Sequence, residues 1–251
     1  MISDVGVIIL AAGLGTRMKS NKAKVLHEIC GRPMINYVVD IAVEVAGSNV
    51  FVVVGHQADQ VRKVVAERFQ AQFVLQQEQL GTGHAVLCAL PKLGNHIRTC
   101  VILCGDVPLI RSRTIKQLLE HHESFQRDVT LFAMAVDNPK GYGRVLFDHT
   151  NQLIGIVEEA DADPAQKAMN VINTGMYVVD HGFLSLTLPQ LKADNAQNEI
   201  YLTDIIAIGH QNKKNMGVVV GQDPDEIIGV NSPRELQRVE KIIQTRFSEK
   251  Y

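Results

Sequence analysis

The chain has 251 residues, 46% of them hydrophobic and 21% charged, enough to bury one large domain or one domain with an insertion; a peptide-scale module and wholesale disorder are excluded. Its 25 Lys and Arg against 27 Asp and Glu leave a net charge of -2, without the basic excess of a nucleic-acid binder, so any phosphate must be gripped locally. No apolar run approaches the roughly 18 residues of a membrane span, and Met1-Ile2-Ser3-Asp4 lacks a basic signal-peptide start, so no membrane partner and a cytoplasmic location are expected.

Residues 5–10 read as a buried strand, followed at once by Leu10-Ala11-Ala12-Gly13-Leu14-Gly15-Thr16-Arg17-Met18. Small residues there let backbone N–H groups approach a polyphosphate, and Arg17 adds a cation that Lys19, Lys22 and Lys24 extend. Read alone, the segment is equally a tight strand-to-helix turn with a solvated basic face. It is neither a dinucleotide fingerprint, with Met18 where a third Gly is needed, nor a Walker loop. After Pro33, residues Ile35, Val38, Val39, Ala42 and Val43 repeat at helical spacing and predict one apolar face on one sheet, with Pro in the first turn.

Further apolar runs at 50–54, 73–75, 100–104 and 129–136 read as strands, with helical segments between them. The alternation predicts an α/β fold with a Rossmann-like, mostly parallel three-layer sheet. The rhythm changes after Val136. The cluster Pro139-Lys140-Gly141-Tyr142-Gly143-Arg144 is a turn, and shorter strands at 145–147, 153–157 and 176–179 predict a β elaboration building the far wall of a pocket. Residues 201–209 and 236–243 return to helical spacing, the second after Ser232-Pro233-Arg234-Glu235, where Ser and Glu fit a capping box. Cys30, Cys88, Cys100 and Cys104 are too scattered for a disulfide scaffold or a zinc pair and read as reduced structural thiols. No internal repeat or hexapeptide ladder of a β-helix occurs.

The run Leu10-Ala11-Ala12-Gly13-x-Gly15-Thr16-Arg17-Met18 followed by Lys24-Val25-Leu26 resembles the signature of the sugar-1-phosphate nucleotidyltransferases. Four further segments narrow the resemblance: Gln76 to Ala85, Gly105-Asp106-Val107-Pro108-Leu109, Gly141-Tyr142-Gly143-Arg144 and Ile172-Asn173-Thr174-Gly175. With Ile154 to Glu158 and Gly229-Val230-Asn231 they are similar, in order and over nearly the whole chain, to the uridylyltransferase domains of the bifunctional N-acetylglucosamine-1-phosphate uridylyltransferase/glucosamine-1-phosphate acetyltransferases.

That resemblance implies the nucleotide-diphospho-sugar transferase type of fold, Mg²⁺ as cofactor, and UTP with a sugar 1-phosphate as partners. It implies a nucleotidyltransferase domain over 1–230, with a nucleotide part of about 1–136 and a sugar part of about 137–230. A C-terminal helix at 231–251 would follow, with no β-helix acetyltransferase domain and no acetyl transfer. It assigns Leu10, Ala11, Ala12, Gly13, Gly15, Gln76, Gly81 and Thr82 to the nucleotide, Gly141, Glu158, Asn173 and Thr203 to the sugar, Arg17 and Lys24 to catalysis, and Asp106 and Asn231 to the metal. His84 reads as structural.

The residues support these roles unequally. Asp106 ends a buried strand, where open α/β sheets bind ligands, and a carboxylate suits Mg²⁺, which makes it the first candidate metal ligand; a cap of the next helix is the alternative. Asn231 before Ser-Pro reads alone as a turn residue, and the Gln76 to Thr82 segment as a polar loop. Three departures bear on substrate choice: Ala23 stands where the family usually has Pro, which predicts a looser loop; Cys104 stands for a common Tyr; and Ser232-Pro233 follows Asn231 where a polar residue and Arg are common. The reading is transfer of UMP from UTP to N-acetylglucosamine 1-phosphate. A relative using glucose 1-phosphate or another NTP, and a non-catalytic regulatory protein binding nucleotide or sugar phosphate, are the alternatives.

Overall fold

The structure, a computed structural model, describes residues 4–248. Residues 1–3, and 249–251 of the expected C-terminal segment, lie outside the described residues. In chain order the first half comprises β1 (Val5–Ala11), β2 (Glu28–Ile29), β3 (Arg32–Pro33), α1 (Met34–Ala46), β4 (Val50–Val54), α2 (Ala58–Ala66), β5 (Gln72–Leu75), α3 (Thr82–Ala89), β6 (Thr99–Cys104), α4 (Ser112–Ser124) and β7 (Val129–Ala135). The second half adds β8 (Arg144–Phe147), β9 (Leu153–Val157), α5 (Pro164–Lys167), β10 (Val171–Asp180), α6 (His181–Thr187), α7 (Asp204–Gln211), β11 (Met216–Gly221) and α8 (Pro233–Ser248).

The central sheet runs β11-β7-β10-β6-β1-β4-β5, with β8 joining β10 and β9 joining β8. Strands β5, β4, β1 and β6 are mutually parallel, as are β7 and β11, whereas β10 is antiparallel to β6, β7 and β8. All five residues of β4 are buried, as expected of a parallel strand covered on both faces. Val7, Ile9 and Val52 pack against α1 on one side, while Ile8, Phe51 and Val53 pack toward Ala85 and Val86 of α3 on the other. Each such side chain contributes about 1.5–3 kcal/mol by leaving water, so the sheet is fixed before any polar contact is counted.

Helix α1 follows the spacing read from the sequence, with two adjustments. Pro33 is the residue before the first turn, and Val45 and Ala46 complete the buried face while Val43 is only half-buried. Ile35 carries the consequence for function, because its Cδ1 packs beneath Gly105, leaving only 2.9 Å to a Cβ there. The helix thus sets the height of the loop after β6.

Three elements differ from expectation. Strand β10 starts at Val171 and absorbs 176–179 as its far half; a register shift between Asn173 and Met176, with Gly175 at φ 77, disguises the first half as a turn. Residues 201–203 precede α7 rather than belonging to it, the Leu202 amide donating to Thr82 Oγ1 at 3.0 Å. Strand β11, a short run between glycines, was not foreseen. Among the described residues the four cysteines are free, and no helix is long and apolar enough to cross a membrane.

Candidate active site

The carboxyl ends of β1, β5 and β6 open into a cleft of about 460 Å³ lined by Leu10, Ala11, Ala12, Gly13, Gly15, Lys24, Gln76, Gly81, Thr82 and Asp106. A second cleft of about 210 Å³, lined by Gly141, Glu158, Asn173 and Thr203, abuts it, with Leu10, Thr82 and Cys104 shared between them. A larger cleft of about 840 Å³ along β11 contains none of the residues expected to be functional.

The glycine-rich loop is held by its neighbours. Leu10 O accepts from Gly105 N at 2.9 Å, and Ala12 O from His56 N at 3.2 Å. Gly15 adopts a left-handed conformation, φ 65 and ψ 35, in which a Cβ would lie 2.6 Å from Lys24 Cβ. Only glycine accepts both the dihedral and that approach, so Gly15 lets the Lys24 stem cross into the cleft. Ala23 does not loosen this turn as expected: its N–H donates to Gln57 Oε1 at 2.8 Å, a bond that Pro could not make.

Lys24 Nζ lies 2.5 Å from Asp106 Oδ2 and 2.9 Å from Asn231 Oδ1. The connection is backbone-directed, since Val230 N donates to Asp106 O at 2.9 Å and brings Asn231 beside the end of β6. Asn231 is in turn fixed from α8: its N–H donates to Glu235 Oε2 at 2.8 Å, and Ser232 Oγ bonds the same carboxylate at 2.9 Å. Asp106 caps no helix, because α4 begins only at Ser112 after Arg111. Two oxygen donors from distant parts of the chain therefore converge on one cation, the ammonium of Lys24. Such a pair suits a hard divalent ion that takes one or two protein oxygens and fills its shell with water and phosphate; among the described residues no group of three or more His, Cys, Asp or Glu offers an all-protein cage.

Gln76 follows β5 and is 3% exposed. Its Nε2 donates to Gly81 O at 3.1 Å and lies 3.1 Å from His84 Nδ1. Gly81, at φ 114, has no room for a side chain: a Cβ would sit 2.5 Å from Ile200 O. Gly83 N donates to Ile200 O and Ile200 N to Leu80 O, which straps the loop onto the segment before α7.

In the smaller cleft the Asn173 amide is oriented by the Gly175 N–H, an obligatory donor. Its Oδ1 accepts from Gly175 N at 3.0 Å and from Tyr177 OH at 3.1 Å, which leaves Nδ2 as the group presented to a ligand. Thr203 Oγ1 lies near Glu158 without a well-formed hydrogen bond to any group. Burial raises the Glu158 carboxyl above its ordinary value of 4.5, and burial likewise pushes the Cys104 thiol up to about 12. For a carboxyl whose folded pKa lies above its unfolded one, stability is fully present below the unfolded value and is lost as pH rises through the folded value. Glu158→Gln is therefore expected to raise the melting temperature at pH 7.5 and to lose that advantage toward pH 4. Melting curves at both pH values check this; equal gains at both would show that Glu158 ionises without cost.

Of the residues expected to act together, Arg17 and Asn231 line neither cleft; Asn231 reaches the larger one through Lys24, whereas Arg17 does not join the group. It is exposed on a single 3₁₀ turn, Thr16–Met18, and makes no ion pair among the described residues. Sequence reasoning missed Tyr177, whose hydroxyl sets Asn173, and the full burial of Arg144, which holds Glu159 Oε2 at 2.8 Å and Lys167 O at 3.2 Å beneath the Gly141 to Gly143 turn. An alternating strand gives no sign of which tyrosine serves an amide, and an Arg beside a turn is ordinarily solvated.

Comparison with known proteins adds to this geometry. The model of the MobA-like NTP transferase domain matches residues 7–173. The chain is 45% identical to the bifunctional protein GlmU of Pelobacter propionicus over 98% of this chain and 54% of that protein. It is 44% identical to GlmU of Caldanaerobacter subterraneus subsp. tengcongensis over 97% and 52%, and 39% identical to GlmU of Desulfotalea psychrophila over 97% and 72%. The chain spans about half the length of most of the curated relatives it matches. Among solved structures, one described as a glucose-1-phosphate thymidylyltransferase from Bacillus anthracis, in complex with sucrose, superposes with a TM-score of 0.74 at 21% identity, covering 95% of this chain and 94% of the other, a likeness of fold.

Proposed function

The chain belongs to the MobA-like NTP transferase family, among the sugar-1-phosphate nucleotidyltransferases, and on that footing we propose that it transfers UMP from UTP to N-acetylglucosamine 1-phosphate, releasing pyrophosphate. The observation that carries the reading is the convergence of Lys24 Nζ, Asp106 Oδ2 and Asn231 Oδ1 beside the larger of two adjoining clefts, which Lys24 and Asp106 line. The proposed division of labour gives residues 1–136 the nucleotide and 137–230 the sugar.

The reaction is an in-line displacement. A phosphate oxygen of the sugar 1-phosphate forms a bond to the α-phosphorus, and the bond from that phosphorus to the bridging oxygen of pyrophosphate breaks. The attacking oxygen is already an anion, so no general base is needed, and catalysis reduces to orientation and charge neutralisation. Backbone N–H groups of the loop from Ala11 to Gly15 cradle the triphosphate. Lys24, projecting over Gly15, neutralises the transferring phosphate, and Arg17 reaches the departing pyrophosphate from the rim. Asp106 and Asn231 would hold Mg²⁺, whose chemistry there is charge neutralisation across the phosphates. In the sugar cleft Asn173 Nδ2 donates to an acceptor such as an acyl oxygen, and Glu158 accepts from hydroxyls.

Purified protein with UTP, N-acetylglucosamine 1-phosphate and Mg²⁺ is expected to release pyrophosphate well above a no-enzyme control. Absence of release across a panel of sugar 1-phosphates and all four NTPs would refute the reading, and a preferred sugar other than N-acetylglucosamine 1-phosphate would correct its substrate.

A further inference from the structure

His84 lies at the start of α3, outside both clefts, and nothing in the reaction above uses it. Its geometry nonetheless decides what Gln76 can do. The atom of the Gln76 amide that lies 3.1 Å from Gly81 O must be the NH2 group, because a backbone carbonyl only accepts. The second hydrogen of that NH2 points to His84 Nδ1 at 3.1 Å, so Nδ1 must carry a lone pair and the ring proton must sit on Nε2. On the far side Nε2 finds Cys88 Sγ at 3.6 Å, a weak acceptor one helical turn on. Burial raises the Cys88 thiol above its usual value, which keeps it neutral. The chain Cys88, His84, Gln76, Gly81 therefore has one consistent set of proton positions. No described residue donates to Gln76 Oε1, and the residue lines the nucleotide cleft.

We infer that His84 is a positioning residue that, with Gly81 O, locks the Gln76 amide so that only its carbonyl oxygen faces the base, making the cleft select bases with a protonated ring nitrogen. The inference rests on the proposed nucleotide role of the cleft and adds the source of its base preference. Uracil presents N3–H, which Oε1 accepts. Cytosine presents a lone pair at the same position, so two acceptors would face each other. Turning the amide to suit cytosine would set Oε1 against Gly81 O, an obligatory acceptor, and would force the His84 proton from Nε2 to Nδ1. A site whose polar groups are left unpaired by the wrong ligand discriminates far more strongly than one that differs only in shape.

The test is the ratio of UTP to CTP affinity, measured by calorimetry in the presence of Mg²⁺ on wild-type, His84→Phe and His84→Asn proteins. Phe keeps the ring shape and removes the lone pair; Asn places an oxygen where Nδ1 was. The wild-type protein is expected to favour UTP by at least about a hundredfold, His84→Phe to lose tenfold or more of that ratio, and His84→Asn to stay within about threefold of wild type, with little change in melting temperature. An unchanged ratio in His84→Phe, an equal loss in both variants, or no wild-type preference would overturn the inference. Because the readout is binding, a failure of the pyrophosphate assay would count against the proposed reaction and not against this lock.

Discussion

Asp106→Asn is expected to lower turnover by about two to three orders of magnitude while leaving the fold intact. The substitution keeps the size of the side chain and an oxygen within reach of Lys24, but removes the negative charge on which the proposed role of Asp106 as a divalent-ion ligand depends. Stability is expected to change little, because the Lys24 to Asp106 pair is only partly buried and Asp106 caps no helix. Steady-state kinetics and thermal melts on the same preparation check this. A protein that melts many degrees lower with turnover intact would make Asp106 a structural residue and remove the basis for the metal role.

Lys24→Met is expected to act in two directions at once. Loss of the ammonium proposed to neutralise the transferring phosphate should lower kcat/KM on the order of a hundredfold or more. The same ammonium is the cation that Asp106 Oδ2 and Asn231 Oδ1 hold between them, so its removal leaves two oxygen donors with no positive partner. Nucleotide-free Lys24→Met is therefore expected to bind Mn²⁺, as a probe of the proposed divalent-ion site, on the order of tenfold more tightly than wild type. Electron paramagnetic resonance titration measures that directly. Unchanged or weaker Mn²⁺ binding would mean that the two oxygens serve Lys24 alone. The opposite signs matter, since a merely damaged variant loses both properties together.

The parts of the fold legible in the sequence were those set by short-range pattern. Strands β1, β4, β6 and β7 are continuous apolar runs, because a parallel strand covered on both faces needs one, and α1 shows its stripe at 3.6-residue spacing. Strand β10 was only half legible, because Asn173 to Gly175 has the composition of a turn while the register shift that accommodates it is imposed by pairing with β7. Nothing local marks that.

The site divides along the same line. The Gly15 loop could be read as a place for phosphate from its own residues, and Asp106 from its position after a strand. Asn231 could not, since it is placed by Val230 bonding to Asp106 O and by Glu235 in the first turn of α8. Such long-range positioning left no trace in spacing, and only the resemblance pointed to it. The amide orientations of Gln76 and Asn173 were hidden for a related reason: each is fixed by a backbone group whose location is a product of the finished fold.

The central claim is direct transfer from nucleotide to sugar phosphate with no covalent protein intermediate, and the stereochemical course at the α-phosphorus tests it most directly. With a single diastereomer of UTP carrying sulfur on the α-phosphate, N-acetylglucosamine 1-phosphate and Mg²⁺, phosphorus NMR is expected to show one sugar-nucleotide diastereomer of inverted configuration together with pyrophosphate. Retention of configuration would contradict the claim, because it requires two displacements and hence a nucleophile on the protein.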